Sequence, residues 1–202
     1  MSSSLGAGYF AGVYADGDDP WGFRDRWYER RKRDLTVAAL LQPRYARAFE
    51  PGCAIGVLTE ALAPRCDELL ATDVDPTALA AARARLAAHQ QVRVEQLAVP
   101  DSWPPGDHDL IVVSEIGYYL AGPDLAALAT RCAASLAPGG TLLACHWRHT
   151  VGDYPTSGDE VHAALGRAPG LQRLVRHEEE DLLLEVFSTD GRSVARRTGL
   201  LA

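Results

Sequence analysis

Two acidic residues flank a glycine-containing turn at the spacing of a nucleoside site. Glu50 opens the heptapeptide EPGCAIG, and Asp73 ends the next apolar run, 17 residues after Gly56. Glycine lets the backbone approach a ligand where a side chain would collide with it. A carboxylate at the end of a strand can accept hydrogen bonds from both hydroxyls of a ribose. The pattern therefore predicts a nucleoside whose ribose is bound by Asp73 beside this turn.

The acidic start of the turn narrows the choice of nucleoside. A dinucleotide site has the pattern G-x-G-x-x-G, with free backbone amides around a pyrophosphate. Here Glu50 leads the turn, and Ala54 stands between Gly52 and Gly56. A carboxylate repels a pyrophosphate but attracts an ammonium group or another cation. S-adenosylmethionine, which has a ribose, an ammonium and a sulfonium but no phosphate, fits these residues. The same features count against a nicotinamide dehydrogenase.

A second stretch, DLIVVSEIGYYL over residues 109–120, places an acid and two tyrosines after a buried apolar run. Methyl transfer from a sulfonium is an in-line displacement, in which proximity and orientation can supply roughly 7–11 kcal/mol. An amine acceptor must also lose a proton to a nearby carboxylate, imidazole or phenol. The candidate catalytic residues are Glu115, Tyr118 and His146.

Two of these candidates have a structural alternative. Glu115 could equally be a structural acid, buried and bonded to N-terminal arginine or tyrosine side chains. Acids with a perturbed pKa occur both at catalytic sites and in structural ion-pair networks. His146 and His149 could form a surface pair, or could suggest a metal by their spacing. No third ligand is evident in the sequence, so no metal is expected.

The elements that must position these residues alternate along the chain. Strands are predicted at residues 45–49, 69–72, 92–99, 110–114, 141–145, 171–176 and 182–188, and helices at 24–41, 57–63, 78–88, 125–136 and 160–167. This order predicts an α/β fold with a single doubly wound, mostly parallel seven-stranded sheet that ends in an antiparallel β-hairpin. Ligands of such sheets bind outside the carboxyl ends of the strands. Residues from five predicted strand ends should therefore meet at one crevice.

The domain organisation is predicted to be a single domain over residues 1–202, with a sheet core at 44–202. Residues 1–43 should form an N-terminal leader and a helical lid, and residues 1–17 are small, polar and glycine-rich enough to be mobile. Pro138-Gly139-Gly140 should cap the helix before the fifth strand. The residues from Thr189 onward should be a turn and a weakly structured tail.

Composition sets limits on partners and location. The chain has a net charge of −7 and concentrates positive charge only at residues 30–33, which argues against nucleic acid as a partner. Four cysteines without metal spacing are expected to be free thiols in a reducing cytosol. The first cation is Arg24, and no apolar run approaches a membrane span. We therefore expect a cytoplasmic protein without a secretory signal.

With these motifs the chain resembles the class I S-adenosylmethionine-dependent methyltransferases, whose first motif is E/D-x-G-x-G-x-G. The segments DDPWGF, WYERRK, FEPGCAIGVLTEALAPRCD, SEIGYYL and APGG resemble the nodulation-protein-S group of N-methyltransferases over roughly residues 9–150. That group methylates the free amine of a sugar unit in chito-oligosaccharide signals. The resemblance implies a Rossmann-like methyltransferase fold and S-adenosylmethionine as cofactor.

The resemblance also implies roles for individual residues. The methionine end of the cofactor would be wrapped by Glu50, Gly52, Cys53, Ala54 and Gly56, and the adenosyl end by Asp73, Val74, Ala98 and Val99, with the Ser114 carbonyl facing the ammonium. The segment with Trp21 and Tyr28 would fold over the cofactor as a lid, and Arg31 or Lys32 would pair with its carboxylate. Ala98 stands where the family usually has an acid, so a contact to the adenine amine is lost.

These observations predict a small-molecule methyltransferase whose acceptor is the amine of a sugar or sugar-like compound. The alternatives are an O-methyltransferase of a small natural product and a non-catalytic sensor that only binds S-adenosylmethionine or a nucleoside. Tyr118, Tyr119 and Trp147 would suit stacking on a sugar ring. The oligomeric state stays open.

Overall fold

A mixed sheet of seven strands forms the centre of the protein. The structure is a computed structural model, and it describes residues 3–201. The strands are β1 (Tyr45–Pro51), β2 (Cys66–Asp73), β3 (Val92–Gln96), β4 (His108–Ser114), β5 (Leu136–Trp147), β6 (Gln172–Glu178) and β7 (Leu182–Ser188). Their order in the sheet is β3-β2-β1-β4-β5-β7-β6. Strands β1 to β5 pair in parallel, and β7 lies antiparallel between β5 and β6. The predicted fold class is confirmed.

The helices cover both faces of the sheet. They are α1 (Ala7–Val13), α2 (Trp27–Ala38), α3 (Val57–Leu62), α4 (Pro76–Arg85), α5 (Gly122–Ala134), α6 (Gly158–Leu165) and α7 (Val194–Arg197), with 3₁₀ turns at Ala63–Arg65 and Gly117–Tyr119. The short helix α7 occupies part of the segment predicted as a weakly structured tail. Within residues 3–201, no helix combines the length and the apolar character needed to cross a membrane.

The central strand β4 shows why the core forms on both faces. Its residues 110–113 are fully buried, and successive side chains of a strand point to opposite faces. Ile111 and Val113 pack under α5 and α6, whereas Leu110 and Val112 pack with Leu62 of α3 and the residues that follow α2. A run of β-branched and leucine residues is typical of a parallel strand that is covered on both sides.

The N-terminal segment, predicted as a mobile leader, instead contains a packed helix. The rings of Tyr9 and Phe10 on α1 contact the ring of Tyr119, with centroids 6.1 and 4.9 Å apart. The Leu5 amide donates a 2.9 Å hydrogen bond to the Tyr119 carbonyl. The aromatic side chains of this glycine-rich segment therefore anchor it over the ends of the strands. Residues 1 and 2 lie outside the described residues.

The segment Pro138-Gly139-Gly140 does not cap a helix, because it lies inside β5. Helix α5 ends earlier, at Ala134, and the strand begins at Leu136. Gly139 has a φ of +75°, which favours glycine, and the pairing of β4 with β5 shifts register between His108 and Leu110. The glycines thus form an irregularity in a strand rather than a helix terminus.

The sheet order locates the expected ligand crevice. From β1 the chain continues to β2 and β3 on one side, and later places β4 and β5 on the other side. The direction of strand addition reverses between β1 and β4, and ligands of α/β sheets bind at this switch point. The carboxyl ends of β1, β2 and β4 should therefore form the site.

Candidate functional site

A cavity of about 570 Å³ lies at the carboxyl ends of the parallel strands, between the sheet and the N-terminal helices. The predicted site residues that line it are Trp21, Tyr28, Lys32, Glu50, Gly52, Cys53, Ala54, Asp73, Val74, Val99, Ser114, Glu115 and Tyr118. The glycine turn, the ends of three strands and the α2 helix thus meet around one space of the size of a small-molecule site.

Glu50 is the most unusual group in the cavity wall. Its residue is 2% exposed, and its Oε2 atom has no hydrogen-bond partner among the described residues. Burial raises the pKa of Glu50 to about 7, although the nearby Thr59 hydroxyl opposes this rise, and the carboxylate of Asp73 adds a smaller increase. A buried polar atom without a partner costs free energy, so its presence on a cavity wall points to a ligand that pairs with it.

The backbone of the turn requires glycine at position 52. Gly52 has a φ of +73°, and a Cβ at this position would lie 2.0 Å from the side chain of Ile116. Ala54 also has a positive φ, of 47°, and its amide donates a 2.8 Å hydrogen bond to Oδ2 of Asp73. The turn is therefore held in a strained form that a larger residue at Gly52 could not adopt.

Asp73 is positioned to bind a ligand as well as to hold the turn. Its Oδ1 atom accepts a 3.0 Å hydrogen bond from the Asp75 amide, and Oδ2 accepts the bond from Ala54. Burial raises the pKa of Asp73 above its ordinary value. Each carboxylate oxygen can accept two hydrogen bonds, so one site on each oxygen remains for a pair of ribose hydroxyls.

Opposite this turn, Lys32 lies between two carboxylates. Its Nζ atom is 2.7 Å from Oε1 of Glu115 and 2.9 Å from Oε2 of Glu29, and all three side chains are largely buried. Burial works against the charge of Lys32, but the carboxylates of Glu115 and Glu29 raise its pKa above the ordinary value. This group of Lys32, Glu29 and Glu115, which we call the lysine triad, has a net negative charge.

Glu115 connects the lysine triad to the aromatic residues Tyr118 and Trp147. Its Oε2 atom accepts a 2.5 Å hydrogen bond from the Tyr118 hydroxyl and a 3.1 Å hydrogen bond from the Trp147 amide. The Tyr118 ring stacks on Tyr154, with centroids 4.9 Å apart and planes at 17°. Glu115 also has a positive φ of 57°, which aims its side chain away from the regular strand direction.

Tyr28 faces the same part of the cavity. Its hydroxyl is buried and has no partner among the described residues, and its ring packs edge-on against Trp147 at 5.3 Å. The Lys32 ammonium lies 5.4 Å from the centre of the Tyr28 ring, within the range of a cation–π contact. Tyr28 thus offers a second unpaired polar atom to a ligand.

The structure does not bring four of the predicted residues to the cavity wall. The Arg31 guanidinium makes two hydrogen bonds to Glu179, of 2.8 and 2.6 Å, on the outer side of α2. Gly56 immediately precedes α3 with a φ of +77°, and a Cβ there would contact α4. Ala98 is exposed, whereas the residues on either side of it line the cavity.

His146 is the fourth of these residues. His146 is 0% exposed and does not line the cavity. Its ring packs beneath the cavity wall and contacts His162. Burial lowers the pKa of its imidazole well below the ordinary value, and the neighbouring His162 adds to this shift. His149, by contrast, lies at the surface with Asp181. Within residues 3–201, no group of three His, Cys, Asp or Glu side chains is arranged to bind a metal.

Several lining residues were missed by the reading of the sequence. They are Phe10, Tyr14, Arg26, Glu29, Arg33, Leu97, Ile116 and Tyr154. A signal existed for the polar ones on α2, because residues 26, 29, 33 and 36 recur at helical spacing and share one face. No comparable signal marks Tyr14, since residues 1–17 were predicted to be a mobile leader.

A family model and two curated relatives indicate the same protein family. The model of the family described as Nodulation protein S (NodS) matches residues 14–155. Nodulation protein S of Rhizobium tropici is 34% identical over 133 residues, and that of Sinorhizobium fredii is 35% identical over 130 residues; each match covers 62% of this chain. The matched region spans 54% and 59% of the length of those two relatives.

Solved structures agree in fold. A putative methyltransferase from Pseudomonas syringae is 48% identical, with a TM-score of 0.72 over 81% of this chain and 99% of that chain. The N-methyltransferase NodS from Bradyrhizobium japonicum WM9, solved in complex with S-adenosyl-L-homocysteine, is 27% identical, with a TM-score of 0.75 over 85% of this chain and 92% of that chain. On this evidence the chain belongs to the nodulation protein S (NodS) family.

Proposed function

We propose that the protein is an S-adenosylmethionine-dependent N-methyltransferase that acts on a small-molecule acceptor. The observation that carries the proposal is the buried, unpartnered carboxylate oxygen of Glu50 on the wall of a cavity that also contains Asp73. An ammonium group would satisfy Glu50, and a ribose would satisfy Asp73. Membership of the NodS family supports the same cofactor and the same reaction.

The residues around the cavity can hold each part of this cofactor. Glu50 would pair with the ammonium and Asp73 with the ribose, while Val74, Leu97 and Val99 form an apolar wall for the base. When bound, the cofactor supplies an electrophilic methyl group on a sulfonium. The carboxylate of its methionine end needs a cation that is not already neutralised.

That cation is better supplied by Arg33 than by the two residues predicted for it. Arg31 is paired with Glu179 away from the cavity, and Lys32 is shared by the two acids of the lysine triad. Arg33 lines the cavity and uses NH1 in a 2.7 Å hydrogen bond to the Phe23 carbonyl. A guanidinium has five donors, so this bond leaves others for a carboxylate.

The acceptor would enter between Tyr28 and the aromatic pair of Tyr118 and Tyr154. A cationic amine has no free lone pair, so its nitrogen must first give up a proton. Glu115, which lines the cavity and accepts a hydrogen bond from Tyr118, would receive this proton. The freed lone pair would then bond to the methyl carbon while the carbon–sulfur bond breaks and its electrons stay on sulfur. The cavity otherwise contributes orientation.

The acceptor class follows from the chemistry of the wall. Aromatic rings can stack on the apolar face of a sugar, and the net negative lysine triad attracts a cationic amine before it is deprotonated. Both features support an amino sugar or a sugar-like amine as acceptor. An O-methyl acceptor is the second candidate, because the unpartnered Tyr28 hydroxyl could equally bond to a substrate hydroxyl.

Calorimetry and a turnover assay test this function together. We expect S-adenosylmethionine to bind, and S-adenosylhomocysteine to form when a chitin oligosaccharide with a free amine is added. The matched control is the same oligosaccharide with every amine acetylated, which should give no product. Binding without turnover on any amine or hydroxyl acceptor would favour a sensor, and no binding would remove the proposal altogether.

The role of Glu115 gives a separate prediction. Glu115→Gln should lower turnover about 100-fold, because an amide cannot take the acceptor proton, while cofactor affinity stays within about twofold. Formation of S-adenosylhomocysteine and calorimetric titration measure the two quantities. Glu29→Gln is the matched control, since Glu29 shares Lys32 but makes no bond to Tyr118, and it should lose less than about tenfold in turnover. Equal loss of affinity and turnover in Glu115→Gln would make Glu115 a structural residue.

A further inference from the structure

Three buried polar side chains form a chain of hydrogen bonds behind the cavity. His146 on β5, His162 on α6 and Glu185 on β7 are 0%, 3% and 1% exposed. Nδ1 of His146 is 3.2 Å from Nε2 of His162, and Nδ1 of His162 is 2.9 Å from Oε2 of Glu185. None of the three lines the cavity, so the proposed methyl transfer gives them no direct role.

Each end of this hydrogen-bond chain is bonded to a further group, a backbone amide at one end and two arginines at the other. At the inner end, the Gly117 amide donates a 3.3 Å hydrogen bond to Nε2 of His146. At the outer end, Arg173 and Arg176 of β6 donate hydrogen bonds of 2.8 and 2.6 Å to Oε1 of Glu185. The chain therefore connects the side of the sheet that bears the arginines with the 3₁₀ turn at Gly117–Tyr119.

The chemistry of the two ends fixes the direction of every bond between them. A backbone amide can only donate, so Nε2 of His146 must accept and its proton must be on Nδ1. A carboxylate can only accept, so Nδ1 of His162 must carry a proton. Nε2 of His162 then accepts from His146, and both rings are neutral. The low pKa of His146, which burial causes, agrees with this state.

We propose that this chain is a positioning device in which Glu185, through His162 and His146, holds the turn that presents Tyr118 to Glu115. Tyr118 is the second residue of the turn, and its ring also contacts His146 at 5.6 Å. Gly117 lies so close to α6 that a Cβ at this position would lie 2.4 Å from the Val161 side chain. The Gly117 carbonyl accepts a 3.1 Å hydrogen bond from the Leu120 amide within the turn, and the bond to His146 restrains the Gly117 amide.

The charge of the outer end explains why a carboxylate is needed there. Arg173 and Arg176 both donate to Oε1 of Glu185, so in Glu185→Gln the amide oxygen takes that place and the amide nitrogen faces His162. A donor would then face Nδ1 of His162, which must lose its proton and carry it on Nε2 instead. His146 must switch in the same way, and its new Nε2 proton would oppose the Gly117 amide.

A spectroscopic measurement tests the direction of the chain without any assay of activity. In the wild-type protein with nitrogen-15-labelled histidine, we expect both His146 and His162 to be neutral at pH 7.5, with the proton on Nδ1. In Glu185→Gln, both rings should move their proton to Nε2. A wild-type ring that carries its proton on Nε2, or that is doubly protonated, would overturn the proposal.

The effect on the reaction rests on the proposed methyltransferase function and is measured separately. Glu185→Gln should lower turnover about tenfold while the dissociation constant of S-adenosylmethionine stays within about twofold, because Glu50 and Asp73 are not attached to this turn. Glu178→Gln is the matched control, since Glu178 also pairs with Arg176 but does not contact His162. It should leave turnover and both tautomers unchanged.

Two outcomes would contradict the positioning role even if the enzyme is active. One is normal turnover in a Glu185→Gln protein whose histidine tautomers have switched. The other is a parallel loss of cofactor affinity, turnover and thermal stability, which would indicate a general structural role. If Glu185→Gln does not fold, the wild-type tautomers still decide the direction of the chain.

Discussion

Replacement of Asp73 by alanine is expected to weaken the binding of S-adenosylmethionine by at least about 100-fold. The carboxylate would accept hydrogen bonds from two ribose hydroxyls, and a hydrogen bond to a charged group is worth about 1.5–3 kcal/mol. Every 1.4 kcal/mol changes a dissociation constant about tenfold, so two such bonds account for this loss. Isothermal titration of the cofactor into wild-type and variant protein measures it.

Asp73 also restrains the turn, and this second role must be separated from ribose binding. Its oxygens accept bonds from the amides of Ala54 and Asp75, which the alanine variant loses as well. A 2′,3′-dideoxyribose analogue of the cofactor, which lacks both hydroxyls, separates the two effects. It should bind the wild type weakly and should lose little further affinity in Asp73→Ala, because the two changes remove the same interaction.

Asp75→Ala provides the matched control for this prediction. Asp75 is buried and caps α4 by accepting bonds from the amides of Thr77 and Ala78, but it does not line the cavity. Its loss should cost about 1 kcal/mol of stability and leave cofactor affinity nearly unchanged. If the wild type bound the dideoxy analogue as tightly as the cofactor itself, Asp73 could not be the ribose ligand.

The parts of the site that the sequence predicts well belong to one local unit. Glu50, Gly52 and Asp73 lie within one strand-turn-helix-strand segment, where chain connectivity alone brings the turn beside the end of the second strand. The acid of the motif SEIGYYL is similarly placed by its position after a buried strand. For these residues, spacing along the chain is equivalent to position in space.

The parts that were mispredicted depend on which face of an element meets the core. Arg31 and Arg33 are two residues apart on a helix, so they point in very different directions, and only packing of α2 decides which one faces the cavity. The same holds at strand ends. His146 and Trp147 are successive residues of β5 and point to opposite faces, and contacts that are remote in sequence decide which of them meets the cavity.

The lysine triad shows most clearly which contacts cannot be predicted from the sequence. The Glu29–Lys32 pair is local, at i and i+3 on a helix, and could be expected from the sequence. The bond from Lys32 to Glu115 joins residues 83 positions apart. It requires α2 to lie across the end of β4, which no feature of either segment specifies alone. The acidic partner of Lys32 therefore became visible only with the tertiary structure.

Glu50→Gln is expected to abolish tight cofactor binding while it stabilises the protein without ligand. The pKa of Glu50 is raised from 4.5 to about 7 in the folded state, so the folded protein favours the protonated form. The stability that this preference contributes is present below pH 4.5 and is lost as the pH rises to about 7. At pH 8 the ionised carboxylate costs on the order of 3 kcal/mol, which a neutral glutamine avoids.

Thermal or urea unfolding at two pH values checks the stability part. The free energy of unfolding of Glu50→Gln should exceed that of the wild type at pH 8, whereas at about pH 4.5 the two proteins should be nearly equal. The reverse pattern, with the variant less stable at pH 8, would show that the carboxylate has a stabilising partner in the folded protein without ligand.

The same carboxylate should make cofactor binding depend on pH. An ammonium ligand pairs with the ionised form, which with a pKa of about 7 is mostly present at pH 7.5 and scarce at pH 6. Wild-type affinity should therefore be about eightfold weaker at pH 6 than at pH 7.5, and binding near pH 7 should release protons. Titrations in two buffers of different ionisation enthalpy measure that release. Glu50→Gln, which has no proton to lose, should show neither effect, so a wild-type affinity that does not change over this range would mean that the ammonium pairs with some other group.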